Sequence, residues 1–326
     1  MPSFNLLDIQ DAAARLSGHI VRTPILESPQ LNAAAGCRVI VKAESLQRTG
    51  AFKLRGALNL MLSLGVETLK RGVVTYSAGN HGQGVAAGAR MLGCPAVVVM
   101  PLTAPAIKQE NCRWWGADVV LYDPETEDRE HVVGHLVRSR GLTFIPPFDN
   151  LQVMAGQGTL GLEFCKQLTE VGITPDALLV GCSGGGLASG VITAFQELHP
   201  RARCYIVEPS GYEKMARSLV SGDPETNTTV GTTIQDALSG PTAGARPLEV
   251  LREHRPGCLN VRDDEALAGI AAAFRWLKLV VEPGGAAALG AVLAQKSNFY
   301  GKTVAVVCSG GNLDPGVFAA AITRTA

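Results

Sequence analysis

The chain has 326 residues, 46% of them apolar and 18% charged, with 29 basic and 29 acidic side chains cancelling to zero net charge. That balance excludes a mainly disordered chain, which needs low hydrophobicity and high charge, and leaves no basic excess to draw in nucleic acid. Arg90 and Glu282 interrupt the longest apolar stretches, so no run reaches the roughly 18 residues of a membrane span.

In chain order, short apolar runs predict strands over 39–42, 72–76, 96–100, 118–121, 177–180, 203–207 and 303–308. Amphipathic or Ala-rich patterns predict helices over 56–64, 82–92, 106–115, 158–168, 188–198, 264–277 and 284–294. Such alternation predicts an α/β fold with parallel sheets covered on both faces. Ligands of such folds bind beyond the carboxyl ends of the strands. Pro146-Pro147-Phe148-Asp149-Asn150 reads as a crossing between two lobes, and 223–233 as a polar loop.

Four segments place glycines or a reactive group at a turn. In Thr49-Gly50-Ala51-Phe52-Lys53-Leu54-Arg55-Gly56 a lysine opens a helix after a glycine turn. An amine there feels the positive end of the helix dipole, which disfavours its charged form and keeps it nucleophilic, as a Schiff-base lysine requires. In Thr75-Tyr76-Ser77-Ala78-Gly79-Asn80-His81-Gly82-Gln83-Gly84 a strand runs into a helix, and free N–H groups at such a turn suit a carboxylate or phosphate. Gly82-x-Gly84-x-x-Ala87 has dinucleotide spacing, but no acidic residue follows about 20 positions on. In Gly181-Cys182-Ser183-Gly184-Gly185-Gly186-Leu187 successive glycines let backbone N–H groups converge on an anion. No Gly-Lys-Ser/Thr follows, and position 189 is serine rather than glycine. A phosphate cradle without a nucleotide signature predicts a phosphorylated cofactor. Val307-Cys308-Ser309-Gly310-Gly311-Asn312 ends a fourth strand with a hydroxyl able to make one hydrogen bond.

Together with Ala155-Gly156-Gln157-Gly158-Thr159 and Val281-Glu282-Pro283, these motifs are similar in order and spacing to those of the serine/threonine dehydratase and serine racemase family. These are pyridoxal-phosphate enzymes of fold type II, and the likeness runs from about Asp8 to Asp314. The resemblance implies two lobes, with 1–48 plus 147–326 holding the cofactor and 49–146 closing over the substrate. It also implies pyridoxal 5'-phosphate as cofactor, a small amino acid as substrate, and a homodimer. Lys53 matches the Schiff-base lysine and Phe52 the neighbour that packs on the cofactor. Asn80 matches the partner of the pyridoxal 3′-oxygen, and Ser309 that of the pyridine nitrogen. Ser183, Gly184, Gly185, Gly186 and Leu187 match the phosphate cradle, with Ser183 replacing the usual glycine. Ser77, Ala78, Gly79, Asn80 and His81 match the cup for the substrate carboxylate, and Glu282 falls at an acidic position near the ring. The activity implied is β-elimination from a β-hydroxy L-amino acid such as threonine, serine or an aryl-serine, giving a 2-keto acid and ammonia. Racemisation and β-replacement on the same fold are the alternatives within enzymes, and a non-enzymatic cofactor-binding protein is the alternative outside them.

Departures from the pattern refine this. Racemases of the family carry a serine where this chain has Ala78, which has no proton to exchange, so dehydration is expected to dominate. Metal-dependent members gather carboxylates after a Glu-Pro at a strand end. Here Glu208-Pro209 is present, but Lys214 stands where a second carboxylate is expected, so either the Lys214 ammonium substitutes for the cation or Glu208 pairs elsewhere, and no metal is expected. Gln235-Asp236-Ala237-Leu238 replaces a more glycine-bearing loop that faces the substrate side chain. β-Replacement relatives more often carry Lys-Asp-Arg where this chain has Lys53-Leu54-Arg55. No regulatory domain is expected after the last motif.

Other residues read as structural. Trp114-Trp115 reads as core or interface. His131 and His135 share a helix face without a third metal ligand. The eight cysteines form no C-x-x-C pair, which gives a zinc cluster or disulfide framework no support and predicts reduced, buried thiols. The first five residues lack a basic segment followed by an apolar one, so no secretory leader is expected and the location expected is cytoplasmic.

Overall fold

A computed structural model describes residues 4–104, 106–228 and 232–323. Ten strands form two sheets: β1 (Ile25–Leu26), β2 (Arg38–Ala43), β3 (Val73–Tyr76), β4 (Ala96–Pro101), β5 (Asp118–Tyr122), β6 (Thr143–Phe144), β7 (Ala177–Gly181), β8 (Arg203–Pro209), β9 (Gly257–Val261) and β10 (Thr303–Cys308). The larger sheet has the order β1-β2-β10-β7-β8-β9 and the smaller β5-β4-β3-β6. Every pairing is parallel except the antiparallel β1–β2 edge. Central strands such as Thr303–Cys308 are apolar and buried after their first residue because helices cover both faces.

The seven predicted strands are present within about two residues at each end. The sequence pattern misses β1, β6 and β9. The first two are two residues long, and β9 alternates exposed with half-buried positions at a sheet edge. The helix expected over 158–168 is Leu151–Glu170, twenty residues long and capped by Asn150, whose Oδ1 accepts from Gln152 N and Val153 N at 2.9 and 3.1 Å. Its glycines are crossing points. A Cβ on Gly156 would lie 2.6 Å from Arg55 O, and one on Gly158 3.0 Å from Gly190 O. The helix expected over 264–277 runs from Asp263 to Ala272 and ends in a π turn, Ala273–Leu277, followed by Lys278 at φ 58°. Trp114 is exposed on the rim, edge-on to Trp115 and stacked on Arg90, rather than in the core.

The crossing at 146–150 leads from β6 into the Leu151–Glu170 helix. Residues 229–231 of the expected polar loop and residues 1–3 lie outside the described residues. No helix among the described residues is long and apolar enough to cross a membrane.

Candidate active site

Lys53 is the first residue of the helix Lys53–Leu62, which packs between the Asn80–Leu92 and Leu151–Glu170 helices. Buried charge fixes it. Arg55, fully buried, donates from Nε and Nη2 to both oxygens of Glu44 at 2.8 Å each, and from Nη2 to Glu163 at 3.2 Å. Removing one partner of such a set strands a buried charge, which costs about 3–5 kcal/mol. Close approach needs Gly84, where an added Cβ would sit 3.0 Å from the Lys53 carbonyl carbon.

The Lys53 ammonium donates to Pro147 O at 2.8 Å and lies 5.3 Å from the Phe52 ring centre. Desolvation lowers its pKa to about 8, with the Glu282 charge pulling the other way. The unprotonated fraction near neutrality is therefore far larger than for an ordinary lysine, as a nucleophile and base requires.

Phe52 N donates to Ser309 O at 3.1 Å, and a bridge between Ala51 and Gly310 ties the Lys53 turn to the end of β10. Ser309 is buried, and its hydroxyl has no partner among the described residues. Asn80 opens the helix after β3. Its Nδ2 donates to Glu282 Oε1 at 2.6 Å, and its Oδ1 accepts from Asn312 Nδ2 at 2.8 Å. Asn312 also donates to Thr49 O at 2.8 Å. Gly310 lies under this pair, where a Cβ would collide with Glu282 Oε1. Glu282, itself buried, has its pKa raised to about 8, first by desolvation and then by Asp236, with the Asn80 bond opposing.

In the 77–81 turn, Gly79 N donates to Ser77 Oγ at 3.1 Å, while Ala78 contributes only a methyl group. His81 Nε2 lies 3.0 Å from Ile145 O, and its buried Nδ1 has no partner. Burial and the neighbouring Lys53 charge lower its pKa to about 3, so the ring is neutral.

The third cluster is the glycine loop after β7. Phe148, next to the Lys53 acceptor Pro147, rests on it. A Cβ on Gly184 would lie 2.5 Å from the Phe148 ring, and one on Gly186 2.9 Å from Phe148 Cβ. Gly185 has φ +93°, the left-handed region that glycine alone enters freely. The N–H groups of Gly184, Gly185, Gly186 and Leu187 have no acceptor among the described residues. They open the thirteen-residue helix Gly186–Leu198, whose dipole adds to their attraction for an anion.

The structure thus brings Phe52, Lys53, Asn80, Glu282 and Ser309 into one connected set, and Phe148 joins it to the glycine loop. Unpartnered N–H groups, a depressed-pKa amine and an unpartnered hydroxyl fit a phosphorylated cofactor with an electrophilic carbon and a ring nitrogen. The sequence pattern does not show the contacts of Pro147, Phe148 and Asn312 in the site, because they join segments distant in the chain, 94 residues apart for Lys53–Pro147 and 263 for Thr49–Asn312. It also misses Lys108, whose Nζ bonds Asp236 Oδ2 at 2.9 Å across the two sheets' loops. Cys182 and Cys308 are buried, and desolvation raises both thiols' pKa values, as suits apolar fillers.

Comparison with known proteins gives a consistent picture. The family profile described as pyridoxal-phosphate dependent enzyme matches residues 16–310. An L-threo-3-hydroxyaspartate ammonia-lyase from Pseudomonas sp is 40% identical over 94% of this chain and 95% of its own length. An L-threonine ammonia-lyase from Geobacter sulfurreducens is 38% identical over 97% of this chain and 77% of its own. The structure of maize serine racemase superposes with a TM-score of 0.90 at 33% identity, covering 98% of this chain and 96% of that one.

Proposed function

The chain belongs to the family of pyridoxal-phosphate-dependent enzymes, and on that premise we propose that it is an ammonia-lyase converting a β-hydroxy L-amino acid to a 2-keto acid and ammonia. The substrate class is threonine, serine, an aryl-serine or, as the Pseudomonas relative's name indicates for that protein, 3-hydroxyaspartate. The observation that carries the reading is the Lys53 amine, brought to a pKa of about 8 beside a turn that offers a methyl group at position 78.

In this reading the N–H groups of residues 184–187 hold the cofactor phosphate, with Ser183 at the mouth of the loop. Phe52 packs against the ring, Asn80 bonds its 3′-oxygen and Ser309 its nitrogen. The bound cofactor supplies an electrophilic carbon for an amine and a conjugated ring that delocalises charge developed at the substrate Cα. The 77–81 turn binds and orients the substrate carboxylate through backbone N–H groups. Lys53 Nζ would hold the cofactor and, when free, would take the Cα proton as general base. Ser309 is a hydroxyl, so it does not hold the ring nitrogen protonated as an aspartate would. Such a partner would make a bound cofactor a weaker electron sink, which would favour loss of the β-hydroxyl as water, with uptake of one proton, over proton return to Cα. Ala78 offers no second acid on the far side of Cα, which disfavours racemisation. His81, neutral, backs the cup without adding charge.

Residues 49–146 form the lobe that closes over the substrate, supported by the Lys108–Asp236 bond between the two sheets' loops. Homodimerisation and cytoplasmic residence, both expected from the sequence, complete the proposal. Keto-acid release from a panel of β-hydroxy amino acids tests the reading. Product from at least one member, lost on Lys53→Ala, is expected.

A further inference from the structure

Glu208 ends β8 with its carboxylate buried, accepting from Met215 N at 2.9 Å and Ala216 N at 2.8 Å in the first turn of the helix Lys214–Ser221. Burial raises the Glu208 pKa, and the two backbone donors at the helix N-terminus, together with Lys214, oppose that rise and favour the charged carboxylate. A buried anion then needs a cation. Lys214 supplies it: its Nζ lies 3.9 Å from Glu208 Oε1 and donates to Leu238 O at 3.1 Å, with both side chains fully buried. Burial pulls the Lys214 pKa down, while Glu208 and Cys182 oppose it.

Four pieces of chain meet at this ammonium: the end of β8, the Lys214 helix, the short turn Asp236–Leu238, and Cys182 at the start of the glycine loop. Leu238 O is its acceptor, and Asp236 in the same turn faces Lys108 and raises the Glu282 pKa. The carboxylate cluster of the metal-dependent members has no counterpart here. Among the described residues no three His, Cys, Asp or Glu side chains gather to hold a metal. A divalent ion beside Glu208 would also meet the Lys214 charge in a buried setting, where like charges repel strongly.

We propose that Lys214 is the protein's own tethered cation, a positioning residue that holds Glu208 and the Asp236–Leu238 turn against the glycine loop and makes a divalent ion unnecessary. The cofactor cradle is then kept in shape by a side chain rather than by an exchangeable metal. This inference concerns the scaffold and stands whichever amino acid is the substrate.

The test uses purified holoenzyme. After chelator treatment and dialysis, metal content is measured by mass spectrometry, and the thermal midpoint is read with and without Mg²⁺, Ca²⁺ or Mn²⁺. No stoichiometric divalent metal and an unchanged midpoint are expected. Lys214→Asp is expected to lower the midpoint in chelator and to regain it with Mg²⁺ or Ca²⁺, which a purely space-filling role for Lys214 would not produce. Should that variant fail to fold, Lys214→Met keeps the volume and removes the charge. It is expected to release pyridoxal phosphate more readily, with no rescue by divalent ions. A wild-type midpoint that collapses with chelator and returns with Mg²⁺ would overturn the proposal. So would a folded Lys214→Asp protein indifferent to cations, or a Lys214→Met protein that retains cofactor like the wild type.

Discussion

Asn80 Nδ2 donates to Glu282 Oε1 at 2.6 Å, joining residues 202 apart in sequence. Asn80 belongs to the helix that follows β3 of the smaller sheet, and Glu282 to the segment leading into the Pro283–Ala294 helix packed on the larger one. One amide–carboxylate bond therefore links elements of the two sheets beside Lys53. It opposes the desolvation of Glu282 without overcoming it.

Glu282 carries a pH signature. Its pKa rises from 4.5 to about 8 on folding. The folded state thus holds a proton that the unfolded chain has released across that window. The stabilisation this group contributes is complete below about pH 4.5 and is lost progressively as pH rises to about 8. Glu282→Gln should flatten the fall of the thermal midpoint of the cofactor-free protein across that interval. Scanning fluorimetry at stepped pH measures it, and equal slopes in both proteins would contradict the assignment.

The Lys53 amine has its pKa lowered to about 8, so the unprotonated fraction grows through that pH. Cofactor capture by the cofactor-free protein, followed by visible absorbance, should accelerate as pH rises and level off above about 8. Lys53→Ala should remove the absorbance and cut keto-acid formation by at least the roughly 10²–10⁴-fold typical of a lost general base. A variant retaining full activity would exclude Lys53 from the chemistry.

The glycine loop leaves no room for a side chain. Gly185 has φ +93°, and a Cβ there would lie 2.6 Å from Met215 Cε. Gly185→Ala should destabilise the protein by about 1–3 kcal/mol through backbone strain, and should weaken cofactor affinity further. Denaturant unfolding and cofactor titration check both. An alanine variant as stable as the wild type would mean that the loop is not held as described.

Ala78→Ser places a hydroxyl where racemases of the family carry one. Formation of the D-isomer from an L-substrate should appear or rise in this variant while elimination persists. Chiral chromatography of the recovered substrate reads the outcome. An unchanged enantiomer ratio would show that position 78 does not control proton return.

Much of this architecture is legible in the sequence because parallel strands buried on both faces write themselves as continuous apolar runs, as in 177–181 and 303–308. Elements with weaker signatures escape. The helix Arg129–Arg140 has only Val133 and Leu136 buried, too few to show a stripe. In Leu151–Glu170 the glycines serve helix crossing rather than chain reversal. The motifs at 77–84, 181–187 and 309–312 stand out because each follows a strand end, yet the contacts that connect them do not. Phe148 on the glycine loop, Asn312 between Thr49 and Asn80, and Lys108 against Asp236 are meetings of distant segments that no local pattern encodes.

The most direct measurement of the central claim is keto-acid and ammonia release by the cofactor-loaded enzyme from L-threonine, L-serine, L-threo-3-hydroxyaspartate and L-phenylserine, each paired with a Lys53→Ala control. Equimolar keto acid and ammonia from at least one substrate, absent in the control, is the predicted result. A cofactor-loaded protein that releases neither product from any of the four, or that only racemises them, would contradict the elimination mechanism and the significance given to Ala78.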